Sequence, residues 1–140
     1  MAADREIIRC GGCLCGSVRY RVSGSASDLC FCHCASCRRA TGGVAVAWGT
    51  FAHDAFVVTR GELTEVATSP GVTRAHCSAC GSSITFRHEL RPDEVDVTLA
   101  TLDDAADLVP DAHIWVQDKL PWVRICDGLP QYETVRTRQR

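Results

Sequence analysis

Cys30-Phe31-Cys32-His33-Cys34-Ala35-Ser36-Cys37 packs four thiols and a histidine into eight residues. Cysteine thiolates bind soft metals, so alternating cysteines followed by a C-x-x-C step point to zinc ligation. Cys32, Cys34 and Cys37 form C-x-C-x-x-C, three ligands from one short stretch, which leaves one position of a tetrahedral ion free. Cys30 falls on the same strand face as Cys32 and Cys34 and is a candidate fourth ligand that would close the site. Against this, three alternate positions on a straight strand span about 13–14 Å at Cα, too far for their sulfurs to meet one ion without a bend. Both readings stay open: a centre able to take a ligand, or a structural staple. His33 points to the opposite face and is not counted as a ligand.

Outward from this stretch, Cys13 and Cys15, two residues apart on a strand, share a face and supply half a zinc shell. Cys77-Ser78-Ala79-Cys80-Gly81 is the natural complement, because C-x-x-C with a glycine makes a tight metal knuckle. The alternative pairs Cys10 with Cys13 in that knuckle and leaves Cys15 as a small buried hydrophobe. A redox role for Cys77 and Cys80 lacks a surrounding βαβ pattern. Three thiolates make zinc a weak Lewis acid toward water and suit it to an incoming thiol, so a small-molecule thiol is the substrate class the second set favours. Arg38 and Arg39 are candidates to receive substrate carboxylates or to offset the thiolate charge; ordinary surface arginines are the alternative. Cys126 follows an apolar run and is expected in the core. His53 and His88 are expected at the surface. His76 and His113 are candidate acids or bases, although lone histidines are more often structural.

The chain has 140 residues, 46% hydrophobic and 23% charged, the balance of a soluble globular protein, and the length fits one domain over residues 1–140. No apolar run reaches the roughly 20 residues of a bilayer span. The start, MAADREIIR, lacks the apolar core of a secretory signal, which predicts a reducing cytoplasm and thiols rather than disulfides. The formal charge of −2 becomes about −5 once two Zn²⁺ bind seven thiolates. Nucleic acid is therefore an unpromising partner. The fourteen arginines and one lysine are scattered, apart from Arg38-Arg39 and the tail Arg136, Arg138 and Arg140, which reads as a solvated end.

Val18, Tyr20 and Val22 alternate with polar neighbours, the period of a strand with one buried face. Further strands are expected at 29–34, 44–51, 56–59, 63–68, 72–76, 84–88, 94–100 and 113–116, with an extended piece over 122–125. Cys10 to Ser17 is expected as a metal-binding loop. Helical turns are expected over 34–41, ended by Gly42-Gly43, and over 103–108. Many short strands between turn residues favour an antiparallel, mainly β architecture.

The combination GGCLCGSVRY, CHCASCRRATG, HCSACGSSITF, HIWVQDKLPWV and DGLPQYE resembles the glutathione-dependent formaldehyde-activating enzyme family, which includes centromere protein V. The resemblance spans residues 11–133. It implies a single zinc-supported domain of antiparallel sheets, with a structural zinc on Cys13, Cys15, Cys77 and Cys80 and a labile one on Cys32, Cys34 and Cys37. It also implies the joining of glutathione to formaldehyde as S-hydroxymethylglutathione, a carbon–sulfur bond-forming step of the lyase class. Cys10 and Cys30 fall outside the family's seven-cysteine pattern. A non-catalytic, zinc-stabilised binding or carrier domain is the alternative reading, and the oligomeric state is not legible.

Overall fold

Alternation of apolar and polar residues builds most of this fold. A computed structural model describes residues 6–136; the lead residues 1–5 and the tail residues Arg138 and Arg140 lie outside them. The strands are β1 (Ile8–Gly12), β2 (Arg19–Ser23), β3 (Asp28–Cys32), β4 (Val46–Ala52), β5 (Phe56–Arg60), β6 (Leu63–Ser69), β7 (Val72–Cys77), β8 (Ser83–His88), β9 (Glu94–Thr98) and β10 (His113–Ile114). One α-helix, α1 (Ala35–Thr41), follows β3. Three strands form one sheet in the order β1-β2-β5, and seven form a second in the order β10-β3-β4-β9-β8-β7-β6. All pairs are antiparallel except β10 with β3, which is parallel. The protein is mainly β, as the alternation predicts, with this parallel edge added.

The two sheets share a core. Val18, Tyr20 and Val22, on and beside β2, pack with Phe51, Ile84, Val95, Val97 and Leu99 from the larger sheet. Burial of such side chains contributes about 1.5–3 kcal/mol each. Leu29 packs against this core, whereas Cys30 and Cys32 of the same strand join a second cluster with Cys37, Val46 and Trp48. The larger sheet thus uses both faces, and the eight-residue cysteine stretch sits on the one that the small sheet does not cover.

The structure departs from the sequence expectations in several places. Ile8–Gly12 is a strand rather than part of a loop, because Gly11 lets β1 approach the Tyr20 hydroxyl closer than any side chain would allow. Cys13 and Cys15 lie in the β1–β2 turn and not on a strand. Over residues 103–108 the expected turn is a single one, closed by the Leu108 amide on the Ala105 carbonyl at 3.0 Å, and Asp103 and Asp107 pair with Arg19 and Arg9 across the fold. The 113–116 strand stops at Ile114, since Trp115 adopts φ 56° and starts a 3₁₀ turn. Residues 122–125 join no sheet, and Cys126 is exposed rather than core. Arg136, expected as a solvated end, instead pairs with Asp28 at 3.1 Å and with Asp111, tying the chain to β3.

Gly61, with φ +70°, sits so close to the Ser17 carbonyl that a Cβ would overlap it. Gly61→Ala is therefore expected to lower unfolding free energy by about 2 kcal/mol or more, read as a shift in the urea midpoint; an unchanged midpoint would show that the β5–β6 turn yields freely.

Candidate metal centres

Two tight turns create the first sulfur cluster. In the β1–β2 turn the Cys13 amide bonds the Val18 carbonyl at 3.1 Å and the Gly16 amide bonds the Cys13 carbonyl at 3.2 Å, with Gly16 at φ 79°. In the β7–β8 turn the Gly81 amide bonds the Cys77 carbonyl at 2.8 Å, with Gly81 at φ 78°. The Leu14 amide donates to the Ser82 hydroxyl at 2.9 Å and holds the turns together. The Sγ atoms of Cys13, Cys15, Cys77 and Cys80 then lie within 4.8 Å of one another. Sulfurs 2.3 Å from a tetrahedral zinc stand about 3.8 Å apart, and the Cys13–Cys15 and Cys15–Cys77 separations are 3.6 and 3.9 Å. The donor set fits a closed four-sulfur centre. Cys10 lies exposed on β1 and outside this set, so the Cys10-x-x-Cys13 knuckle does not form.

Two hydroxyls that the sequence reading passed over support these sulfurs. Ser17 Oγ lies 3.0 Å from Cys15 Sγ and 3.3 Å from Cys77 Sγ, and Ser82 Oγ lies 3.2 Å from Cys80 Sγ. The Ser82 hydroxyl brings the Cys80 thiol down to about 5. Against burial, which acts upward, the Val18 amide and the Ser17 hydroxyl bring Cys13 to about 7. Both shifts favour the thiolate that a metal needs.

The second cluster forms where β3 bends into α1. Cys32 ends the strand, Cys34 caps the helix in an extended conformation, and the Cys37 amide donates to Cys34 Sγ at 3.2 Å. The Cys32, Cys34 and Cys37 sulfurs lie within 4.8 Å of one another; Cys30 is not among the sulfurs so grouped. Cys30 is buried at 6% exposure, and burial pushes its thiol up to about 12. In the trio, bonds from Cys32 and Cys34 and the neighbouring Arg74 hold Cys37 far below the usual thiol range, while Cys32 is driven up by the same pairing and by burial. Three convergent sulfurs fit a tetrahedral metal with one position to spare.

Around this trio the structure assembles groups that the sequence left scattered. Arg74, on β7, is 7% exposed and places Nη2 3.6 Å from Cys37 Sγ. His33 is 2% exposed, and its Nε2 lies 2.8 Å from His113 Nδ1; His113 Nε2 in turn lies 2.7 Å from Asp127 Oδ2. A neutral His113 that donates to the carboxylate accepts at Nδ1, in which case His33 donates through Nε2 and keeps Nδ1 as a lone-pair acceptor. That Nδ1 is buried without a partner among the described residues. Burial holds His33 below its ordinary value and therefore neutral. Trp115, at φ 56°, packs on the same cluster. A bulky residue in that conformation costs about 1–2 kcal/mol, and such strain gathers at functional sites.

Arg38 is half-buried and Arg39 exposed on α1, both within a few residues of the trio; Arg38 Nε is buried without a partner among the described residues. Between the end of α1 and the β7–β8 turn runs a groove of about 420 Å³ lined by small residues, including Thr41, Gly43, Ala45, Ser82 and Ser83. Cys80 of the first cluster borders it, and Thr41 bonds the Cys37 carbonyl at 2.9 Å. His53 is exposed as expected, His88 and His76 are half-buried, and neither cluster includes them.

Fold and sites together define a β domain with two cysteine clusters suited to metal. The family model of the glutathione-dependent formaldehyde-activating enzyme matches residues 8–118, and the chain belongs to that family. A Halomonas elongata protein provisionally named a glutathione-dependent formaldehyde-activating enzyme is 31% identical over 125 residues, 82% of this chain and 79% of that protein. A crystal structure of a Rhodobacter sphaeroides protein has the same fold, with a TM-score of 0.57 at 23% identity, over 88% of this chain and 98% of that one. No helix among the described residues is long and apolar enough to cross a membrane.

The histidine chain makes an ordered prediction. His113→Ala removes the partner that His33 Nε2 has among the described residues and opens a cavity, so it should cost about 3 kcal/mol. Asp127→Ala, at the exposed end, should cost clearly less. Chemical denaturation measures both, and equal costs would mean that the chain does not depend on its buried link.

Proposed function

We propose that this protein is a zinc-dependent carbon–sulfur lyase-type enzyme that takes glutathione, or a related small thiol, at Cys32, Cys34 and Cys37 and joins its sulfur to an aldehyde carbon such as that of formaldehyde. The observation that carries the reading is the inequality of the two donor sets: four sulfurs in one cluster, three in the other, with a fourth thiol, Cys30, buried nearby but outside it. The first set, Cys13, Cys15, Cys77 and Cys80, holds a structural zinc. Zinc on the second set supplies a position at which a thiol is bound as thiolate.

The chain's own residues supply the rest. Cys34, as helix cap, and Cys32, as strand end, fix two sulfurs on rigid elements, and Cys37 is held by the first turn of α1. Trp48, Val46 and Trp115 pack about the trio and keep water from the reacting sulfur. Arg38 and Arg39 stand on α1 to receive substrate carboxylates, as a tripeptide thiol would present. Positioning the sulfur against the carbonyl carbon is the main catalytic contribution. The proposed compartment is the reducing cytoplasm, where thiol ligands stay available.

The protein as isolated is expected to contain about two zinc ions per chain. Cys34→Ser should lower this to about one with the far-ultraviolet circular dichroism unchanged, whereas Cys13→Ser should unfold the domain. Loss of fold in Cys34→Ser would assign the second centre to stability alone. In cobalt-substituted protein, glutathione should add a sulfur-to-metal charge-transfer band; an unchanged spectrum would favour the carrier reading over the enzyme.

A further inference from the structure

A three-thiolate shell around a dication is already a net anion, so a fourth, incoming thiolate must join a centre of its own sign. Asp118, whose Oδ2 lies 3.4 Å from the Ala35 amide at the start of α1, adds negative charge nearby. An arginine buried against this cluster is therefore not an ordinary core residue.

Arg74 sits mid-strand on β7, across from Phe86 on β8 and Val66 on β6. Its guanidinium carbon lies 4.9 Å over the Phe86 ring, which fixes the plane of the fork. Nη2 points to Cys37 Sγ at 3.6 Å, and no ion pair with a carboxylate is recorded for Arg74 among the described residues. Nη1 is buried without any hydrogen-bond partner among the described residues. A buried arginine is normally matched by a carboxylate; here the matching anion is the sulfur cluster, and one donor edge is left over.

We infer that Arg74 is the built-in counter-ion of the second centre, a positioning residue that acts through Cys37 and makes the free position selective for an anionic thiolate over a neutral ligand. This rests on the thiol-binding reading above and deepens it. By cancelling the excess charge of the three cysteines, Arg74 removes the repulsion that would turn a thiolate away, while a neutral ligand gains nothing from it. β7 carries this cation three residues before Cys77, so the strand that anchors the closed cluster also tunes the one with a free position. Lysine would carry the charge without the planar fork that bonds Cys37 and stacks on Phe86.

The test uses full-length, cobalt-substituted protein as wild type, Arg74→Met, Arg74→Lys and Arg74→Gln, titrated with glutathione and, separately, with imidazole as a neutral ligand. Metal content and circular dichroism are measured on each. An opposite charge at this range favours an anion by roughly 10- to 1,000-fold. Arg74→Met should therefore keep its metal and fold but bind glutathione at least about tenfold more weakly, with imidazole affinity changed by less than about twofold, and Arg74→Lys should recover part of the loss. If Arg74→Met does not fold, the comparison of Arg74→Gln with Arg74→Lys reads the same difference. Glutathione binding equal to wild type in the charge-removed variant, or equal weakening of glutathione and imidazole, would overturn the assignment of Arg74. Failure of the wild type itself to respond to glutathione would instead overturn the thiol-binding reading on which it rests.

Discussion

Convergence of four sulfurs from two distant turns is the constraint on which the rest depends. Cys13 and Cys15 leave the small sheet and Cys77 and Cys80 leave the large one, yet their sulfurs lie within 4.8 Å of one another. A thiolate cluster without a cation would repel itself, so a metal here converts a liability into a clamp between the sheets. The same clamp sets the ends of β2 and β7. From β2 hangs the shared core of Val18, Tyr20 and Val22, and on β7 stands Arg74.

The second cluster depends on that frame but is not part of it. Its three cysteines belong to a single bend, β3 into α1, and its surroundings are brought by others: Arg74 from β7, Trp48 from β4, and His113 and Trp115 from the β10 region. A metal held there would have local ligands and a remote environment. The buried, neutral His33 between two ligand positions, and the strained Trp115 beside them, mark it as a place where the sequence gives up local comfort for chemistry.

Much of this was legible before any coordinates. Period-two alternation located β2 through Val18, Tyr20 and Val22, and β9 through Val95 and Val97; cysteine spacing separated the two donor sets but left Cys30 a candidate fourth ligand of the second, and only the fold places it outside the grouped sulfurs. What escaped has a common physical cause: it is set by contacts distant in sequence. Gly11 and Gly12 resemble loop residues, but a strand there needs glycine because Tyr20 crosses so closely. The parallel pairing of β10 with β3, the bond from His33 to His113 across 80 positions, and the burial of Arg74 have no local signature. The ion pairs of Asp103 with Arg19 and of Asp107 with Arg9 likewise have no local signature.

The central claim is that one centre is closed and the other has a place for a thiol. Zinc X-ray absorption on the intact protein, recorded before and after glutathione is added, measures this directly. The expected result is a first shell of sulfur with a minor light-atom component that disappears when glutathione binds. A shell made wholly of sulfur from the start would mean that Cys30 completes the second centre, and a light-atom component that persists with glutathione would mean that no thiol enters; either would contradict it.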